Sequence, residues 1–185
     1  MRQGCPVSPP LFNIYTEEIL RKVAEMEEQY DGVQLSGTTV TELRYADDIV
    51  LISRTADGLN NIAQADESIS AEYGLMINAK KTKTMKLDKA TEDINIQING
   101  EQLQNVTKFE YLGALITNDG NCTPEIRRRL AIGLKTLQSM KPLWQCADKN
   151  VKLRILHACI FPVATYESES WTIKKCEHKC YRKIL

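Results

Sequence analysis

No apolar run in this chain approaches the roughly 18 residues needed to cross a bilayer. Its opening, MRQGCPVSPP, is neither a cationic leader with an apolar stretch behind it nor an arginine- and serine-rich transit peptide. A soluble intracellular protein, cytoplasmic or nuclear and with no membrane partner, is therefore expected. Cysteine follows no framework spacing: Cys5, Cys122, Cys146, Cys159, Cys176 and Cys180 are scattered, and reduced thiols are the expectation. Cys176-Glu-His-Lys-Cys180, with His157 and Cys159, resembles half of a metal site, yet the spacing is not CxxC and two small core residues one helical turn apart explain it more simply. Net charge is lacking too, with 24 basic residues against 24 acidic ones, which by itself argues against a dedicated nucleic-acid binder. That zero is a cancellation. Residues 1–120 hold 11 Lys and Arg against 19 Asp and Glu, whereas residues 121–185 hold 13 against 5. A basic second region suits a polyanion, although two regions that attract one another would show the same asymmetry.

With 185 residues, 43% of them apolar, the chain can bury one sizeable core or two small ones. Phe12, Tyr15, Ile19, Val23 and Met26 recur at intervals of three and four and predict a helix from Ser8 to about Gln29. Strand-like GVQL, a turn at Ser36-Gly37, the β-branched run TTVTELRY and then DDIVLIS predict strands, the last two forming a hairpin. A second helix is expected over ADGLNNIAQADESISAEYG, ended by Gly74, with hairpins then at Asn99-Gly100 and within FEYLGALITNDGN. From Thr123, read as a cap, the pattern turns helical: PEIRRRLAIGLKTLQSMKPLW, then NVKLRILHACIFPVATY broken near Pro162, then a closing helical piece. The expected class is α+β, an antiparallel sheet with helices on one face over residues 1–120, followed by an all-α region over 121–185.

Asp47 and Asp48 stand out, because two like charges lie in the middle of an otherwise apolar, β-branched run. A rigid hairpin carrying paired carboxylates is a support for a hard divalent cation such as Mg²⁺, which prefers carboxylate oxygens and keeps part of its water for substrate phosphates. Taken alone, such a pair in a turn is more often simply a polar turn closing a hairpin.

Four blocks in register, RQGCPVSPPLFNIY, YADDIVLIS, GLMINAKKTKTM and FEYLG, resemble the reverse transcriptases of non-LTR (LINE-type) retrotransposons. The later segments EIRRRLAIGLKTLQSMKPLW, VKLRILHACIFPVATYESESWTI and CYRKIL are similar to the region after the polymerase core, so the resemblance spans residues 2–185. It implies a partial polymerase palm over 1–120 and a helical, thumb-like region over 121–185. It further implies that Tyr45, Ala46, Asp47 and Asp48 form the metal-binding hairpin for Mg²⁺ (or Mn²⁺), with Asp47 the principal ligand and Tyr45 near the primer end. Gln3 and Gly4 match the loop against template and incoming nucleotide, and Lys81 matches the lysine that protonates the leaving pyrophosphate. Tyr111, Leu112 and Gly113 match the hairpin that grips the primer, and Arg127, Arg128 and Arg129 fall where a thumb clasps the duplex. For single residues simpler readings stay open: Lys81 lies in a lysine-rich, solvated stretch, and Tyr111 and Leu112 suit an ordinary hairpin core. The implied partners are an RNA template, a DNA primer and deoxynucleoside triphosphates.

The sequence departs from the family pattern in three places. Only Met1 precedes RQGCP, so the family's earlier metal-binding aspartate and its fingers have no counterpart here and the two-ion site is expected to be incomplete. Tyr166-Glu167 stands where Tyr-Gly is usual, which suggests relaxed constraint, and Asp66 interrupts the apolar stripe of the second helix. The expectation is a fragment of an RNA-directed DNA polymerase, inactive as this chain. The other function class is a non-catalytic remnant, inert or weakly binding nucleic acid through its basic C-terminal region.

Overall fold

The computed structural model describes residues 5–25, 31–87 and 94–173. They belong to two compact units: Met1–Lys86 with Glu92–Val106, and Leu87–Thr91 with Thr107–Leu185. The mixture of helices and short strands is α+β.

In the first unit α1 (Ser8–Glu25) lies beside α2 (Ala56–Glu72). Ile19, Val23 and Ile69 form their shared core, flanked by Tyr73 and Leu75. Helix α2 starts where Thr55, in extended conformation, accepts the Gly58 amide, a side-chain cap for one of the otherwise unpaired first-turn donors. Its other apolar positions pack towards β6 (Gln97–Ile98), where Ala63, Ile96, Ile98 and Leu103 make a second core with Leu51, Leu59 and Ile77 around it. Burying each isoleucine of this kind contributes about 1.5–3 kcal/mol.

The run TTVTELRY, expected as one strand, is two: β2 (Thr38–Val40), paired with β1 (Val33–Leu35), and β3 (Glu42–Tyr45), paired with β4 (Asp48–Leu51). The break falls at Thr41, which is buried and whose carbonyl accepts the Ile52 amide. The remaining strands of this unit are β5 (Lys83–Thr84), β7 (Glu101–Gln102), which pairs with β6, and β8 (Gln104–Asn105). The expected antiparallel sheet is, among the described residues, a set of separate two-stranded ladders, and the β5–β8 ladder is parallel.

The second unit opens on the antiparallel hairpin of β9 (Lys108–Tyr111) and β10 (Ala114–Thr117). The sequence reading grouped this hairpin with the strands before it, whereas in the structure β10 packs on α3 (Thr123–Ser139). Thr123 does not cap that helix; its hydroxyl donates to Asn121, and Cys122 stands at the cap position. Ile126, Leu130, Ile160 and Ala164 are the buried centre of the unit. Short helices α4 (Lys141–Cys146) and α5 (Lys149–Ile155) come next, and α5 runs through a π-helical turn, Leu156–Ile160, into α6 (Phe161–Ala164). The helix therefore widens just ahead of Pro162 instead of breaking, as a ring without an N–H forces on the preceding turn. Beyond a 3-10 turn at Ser168–Ser170, the expected closing helix lies outside the described residues. Among the described residues no helix is long and apolar enough to cross a membrane.

Candidate active site

Strands β3 and β4 pair Tyr45 with Asp48 and Arg44 with Ile49, which leaves Ala46-Asp47 as a two-residue turn. Ala46 has φ +54°, a left-handed conformation that costs an alanine roughly 1–2 kcal/mol and is tolerated where the surroundings enforce it. Alternation along the strands separates two faces. Leu43 and Tyr45 are exposed, Tyr45 at 65%, and the same face carries Asp48. Arg44, with Glu42 and Leu51, lies on the opposite face, against α2 and the second core.

The reason for Asp66 in the apolar stripe of α2 is on that inner face. The Arg44 guanidinium donates to Asp66 Oδ1 at 2.9 Å and to Glu42 Oε2 at 3.1 Å, and the Asp66 side chain is only 2% exposed. The hairpin is thereby tied to α2 one residue before Tyr45. A buried carboxylate is tolerable because a guanidinium meets it, and losing either member typically costs 3–5 kcal/mol. Sequence reasoning flagged Asp66 but not its partner; an acid in the α2 stripe and a base on the inward-facing side of a strand are the signal that could have paired them.

Asp47 and Asp48 are both exposed, and their carboxylates have no hydrogen-bond or ion-pair partner among the described residues. Two unengaged hard oxygen donors on a rigid turn suit Mg²⁺ or Mn²⁺ in kind, since such ions take one or two carboxylates and fill the remaining positions with water and phosphate oxygens. In number they are few: among the described residues no group of three or more His, Cys, Asp or Glu is gathered for a metal. His157 and Cys159 therefore take part in no such group among the described residues, and Cys176 and Cys180 lie outside them.

The other residues singled out from the sequence are distributed over both units. Gln3 and Gly4 lie outside the described residues. Lys81 is exposed in a turn after α2, its amide donating to the Asn78 carbonyl at 3.0 Å and to Asn78 Oδ1 at 3.2 Å. Its neighbour Lys83 is engaged, its ammonium donating to Gln104 at 2.8 Å and to the Lys80 carbonyl.

In the second unit Tyr111 closes β9, and Leu112-Gly113 is the turn, with φ +48° and +83°. Arg127 is exposed. Arg128 and Arg129 are turned to this hairpin: both guanidiniums donate to the Gly113 carbonyl, and both meet Glu125, each Nε at 2.7 Å. Glu125 is 3% exposed and also accepts the Leu115 amide at 3.1 Å. Burial pushes its carboxyl up, but the hydrogen bonds from Arg128, Arg129 and Leu115 outweigh that and hold it below the usual glutamate range. Arg129 also stacks 4.3 Å over the Tyr166 ring, whose hydroxyl donates to the Leu112 carbonyl at 2.9 Å. Glu125 was not singled out from the sequence, although its i, i+3 and i, i+4 spacing to two arginines is a readable signal.

Residues 1–116 match the family described as reverse transcriptase (RNA-dependent DNA polymerase). The chain is 31% identical over 147 residues to a transposon-derived protein of Caenorhabditis elegans, a match covering 77% of this chain and 53% of that protein. It is 29% identical over 157 residues to the Pol polyprotein of a type-1 R2 retrotransposable element from Nasonia vitripennis, covering 76% of this chain and 15% of the polyprotein. With the R2 polyprotein of Bradysia coprophila it shares 30% identity over 138 residues, 68% of this chain and 15% of the relative. The chain thus spans about half of the first of these relatives and a small part of the others.

Proposed function

The chain belongs to the reverse transcriptase family, and we propose that it is the palm-and-thumb portion of an RNA-directed DNA polymerase of a non-LTR retrotransposon. On this reading residues 1–120 belong to the palm and 121–185 to the thumb and the segment after it. The substrates are an RNA template, a DNA primer and deoxynucleoside triphosphates, and the reaction is attack of the primer 3′-hydroxyl on the α-phosphorus with pyrophosphate leaving.

One observation carries the reading: two exposed carboxylates, without a partner among the described residues, at the tip of a hairpin that Arg44 and Asp66 anchor from behind. Asp47, in the turn, is the principal metal ligand and Asp48 the supporting one. Mg²⁺ or Mn²⁺ bound there would neutralise charge building on the attacking and leaving oxygens. Tyr45 stands on the Asp48 face of the hairpin, where an exposed ring can lie against the primer end. Lys81, exposed and on a flexible stem, supplies a proton to the departing pyrophosphate. Gln3 and Gly4 border the template and the incoming nucleotide, and the Tyr111–Gly113 hairpin holds the primer backbone.

Within the complete element, Asp47→Ala is expected to abolish template-dependent extension while leaving the protein folded; unchanged extension would refute the assignment. The isolated chain, with two carboxylates at the site, is expected to incorporate no nucleotide with Mg²⁺ or Mn²⁺. A second reading, a non-catalytic nucleic-acid binder, draws on the excess of basic over acidic residues in 121–185, 13 against 5. Salt-dependent retention of an RNA–DNA hybrid without any extension in the complete element would favour it.

A further inference from the structure

Successive residues on an α-helix point about 100° apart, so a run of three arginines cannot face one ligand together. In α3 the three have different surroundings. Arg127 is exposed, whereas the side chains of Arg128 and Arg129 are 28% and 11% exposed and converge on one buried carboxylate and one turn carbonyl. We propose that Glu125, Arg128, Arg129 and Tyr166 are positioning residues that lock the Leu112-Gly113 turn onto α3, leaving Arg127 as the member of the triplet that meets a nucleic-acid phosphate. The inference rests on the nucleic-acid reading above and assigns to its residues a division of labour that the RRR run conceals.

The geometry is that of a closed ring of contacts. Glu125 Oε2 accepts Arg128 Nε at 2.7 Å and the Leu115 amide at 3.1 Å; Oε1 accepts Arg129 Nε at 2.7 Å and Arg128 Nη2 at 3.1 Å. The far ends of both guanidiniums reach the Gly113 carbonyl, and Arg128 Nη1 meets Glu110 of β9 at 3.3 Å. Tyr166 closes the ring from beyond α6, its hydroxyl on the Leu112 carbonyl and its face under Arg129. Both carbonyls of the turn are thus held by side chains. At Gly113 a Cβ would make ordinary contact, 3.5 Å from Arg129 Nη2 and 3.6 Å from Tyr166, so it is the φ of +83° that favours glycine there. A phosphate drawing Arg128 or Arg129 away would take from the buried Glu125 carboxylate one of the two guanidiniums that compensate it, which disfavours the exchange. Among the described residues Arg127 has no such tie, and an exposed arginine gives a counterion-releasing contact at little structural cost.

The test is hybrid binding by the full chain over a series of salt concentrations, with melting measured beside it. Arg127→Ala should reduce the slope of log K against log salt by about one, with Tm unchanged. Arg128→Gln and Glu125→Gln should leave the slope unaltered while lowering affinity several-fold at each salt concentration, because a loosened turn binds less well with the same charge contacts. Tyr166→Phe, which keeps the ring under Arg129, should give a smaller loss of the same kind. The proposal is overturned if Arg128→Gln lowers the slope as Arg127→Ala does, or if Glu125→Gln leaves affinity and Tm where they were. Should the parent chain bind no hybrid, the nucleic-acid reading fails; the lock is then judged by amide exchange, where Glu125→Gln must speed exchange at Leu115, and no acceleration sinks it too.

Discussion

Ala46 and Glu167 are side-chain-bearing residues in a backbone region that suits glycine, with φ of +54° and +56°. For Glu167 this gives the Tyr-Gly of the family pattern a physical meaning: the position needs a left-handed residue just after Tyr166 has reached the Leu112 carbonyl. The sequence alone showed the departure but not the φ that makes glycine the easier choice. Glu167→Gly is expected to raise stability by about 0.5–1 kcal/mol, steric relief outweighing the entropy glycine adds to the unfolded chain. Thermal melting checks it, and an unchanged or lowered Tm counts against the strain. Asp66 carries a similar lesson. Its oddity was legible as a break in an apolar stripe, whereas its partner Arg44 is 22 residues away and only folding brings them to 2.9 Å.

At the scale of elements, both hairpins that carry candidate residues are fixed to a helix through a buried acid and arginine. One uses Asp66 with Arg44, the other Glu125 with Arg128 and Arg129. Hairpins and helices were readable from turn dipeptides and from the three- and four-residue period, because those signals are local. The ladders' separation, the break at Thr41 and the parallel β5–β8 pair were not, since pairing partners are set by packing. Asp66→Ala should destabilise the first unit by roughly 3–5 kcal/mol, while the apolar pair Arg44→Met with Asp66→Leu should recover most of that loss. Denaturant titration of the three proteins decides the point: a double variant as unstable as the single one would mean that the pair is not a compensated charge.

Over the whole molecule, stability is expected to fall with acid through Glu125. Its folded pKa is depressed, so its contribution is present above the unfolded carboxylate range and is lost as pH drops through the lower folded value. Glu125→Gln should flatten that part of the pH–stability profile, and a profile identical to the parent's would remove the buried carboxylate from the account. Apolar surface is the other molecular-scale feature, with Leu11, Ile14, Leu43 and Tyr45 exposed in the first unit, Ile14 at 71%. Self-association on concentration is the expected consequence of that exposure. Light scattering should show it diminished by Ile14→Lys. The direct test of the central claim is a Mn²⁺ titration followed by paramagnetic broadening of backbone amide signals. Broadening centred on Tyr45–Asp48, lost in Asp47→Asn with the hairpin intact, is the expected result; broadening that is absent there, or that survives Asp47→Asn undiminished, would contradict the hairpin's role as an ion cradle.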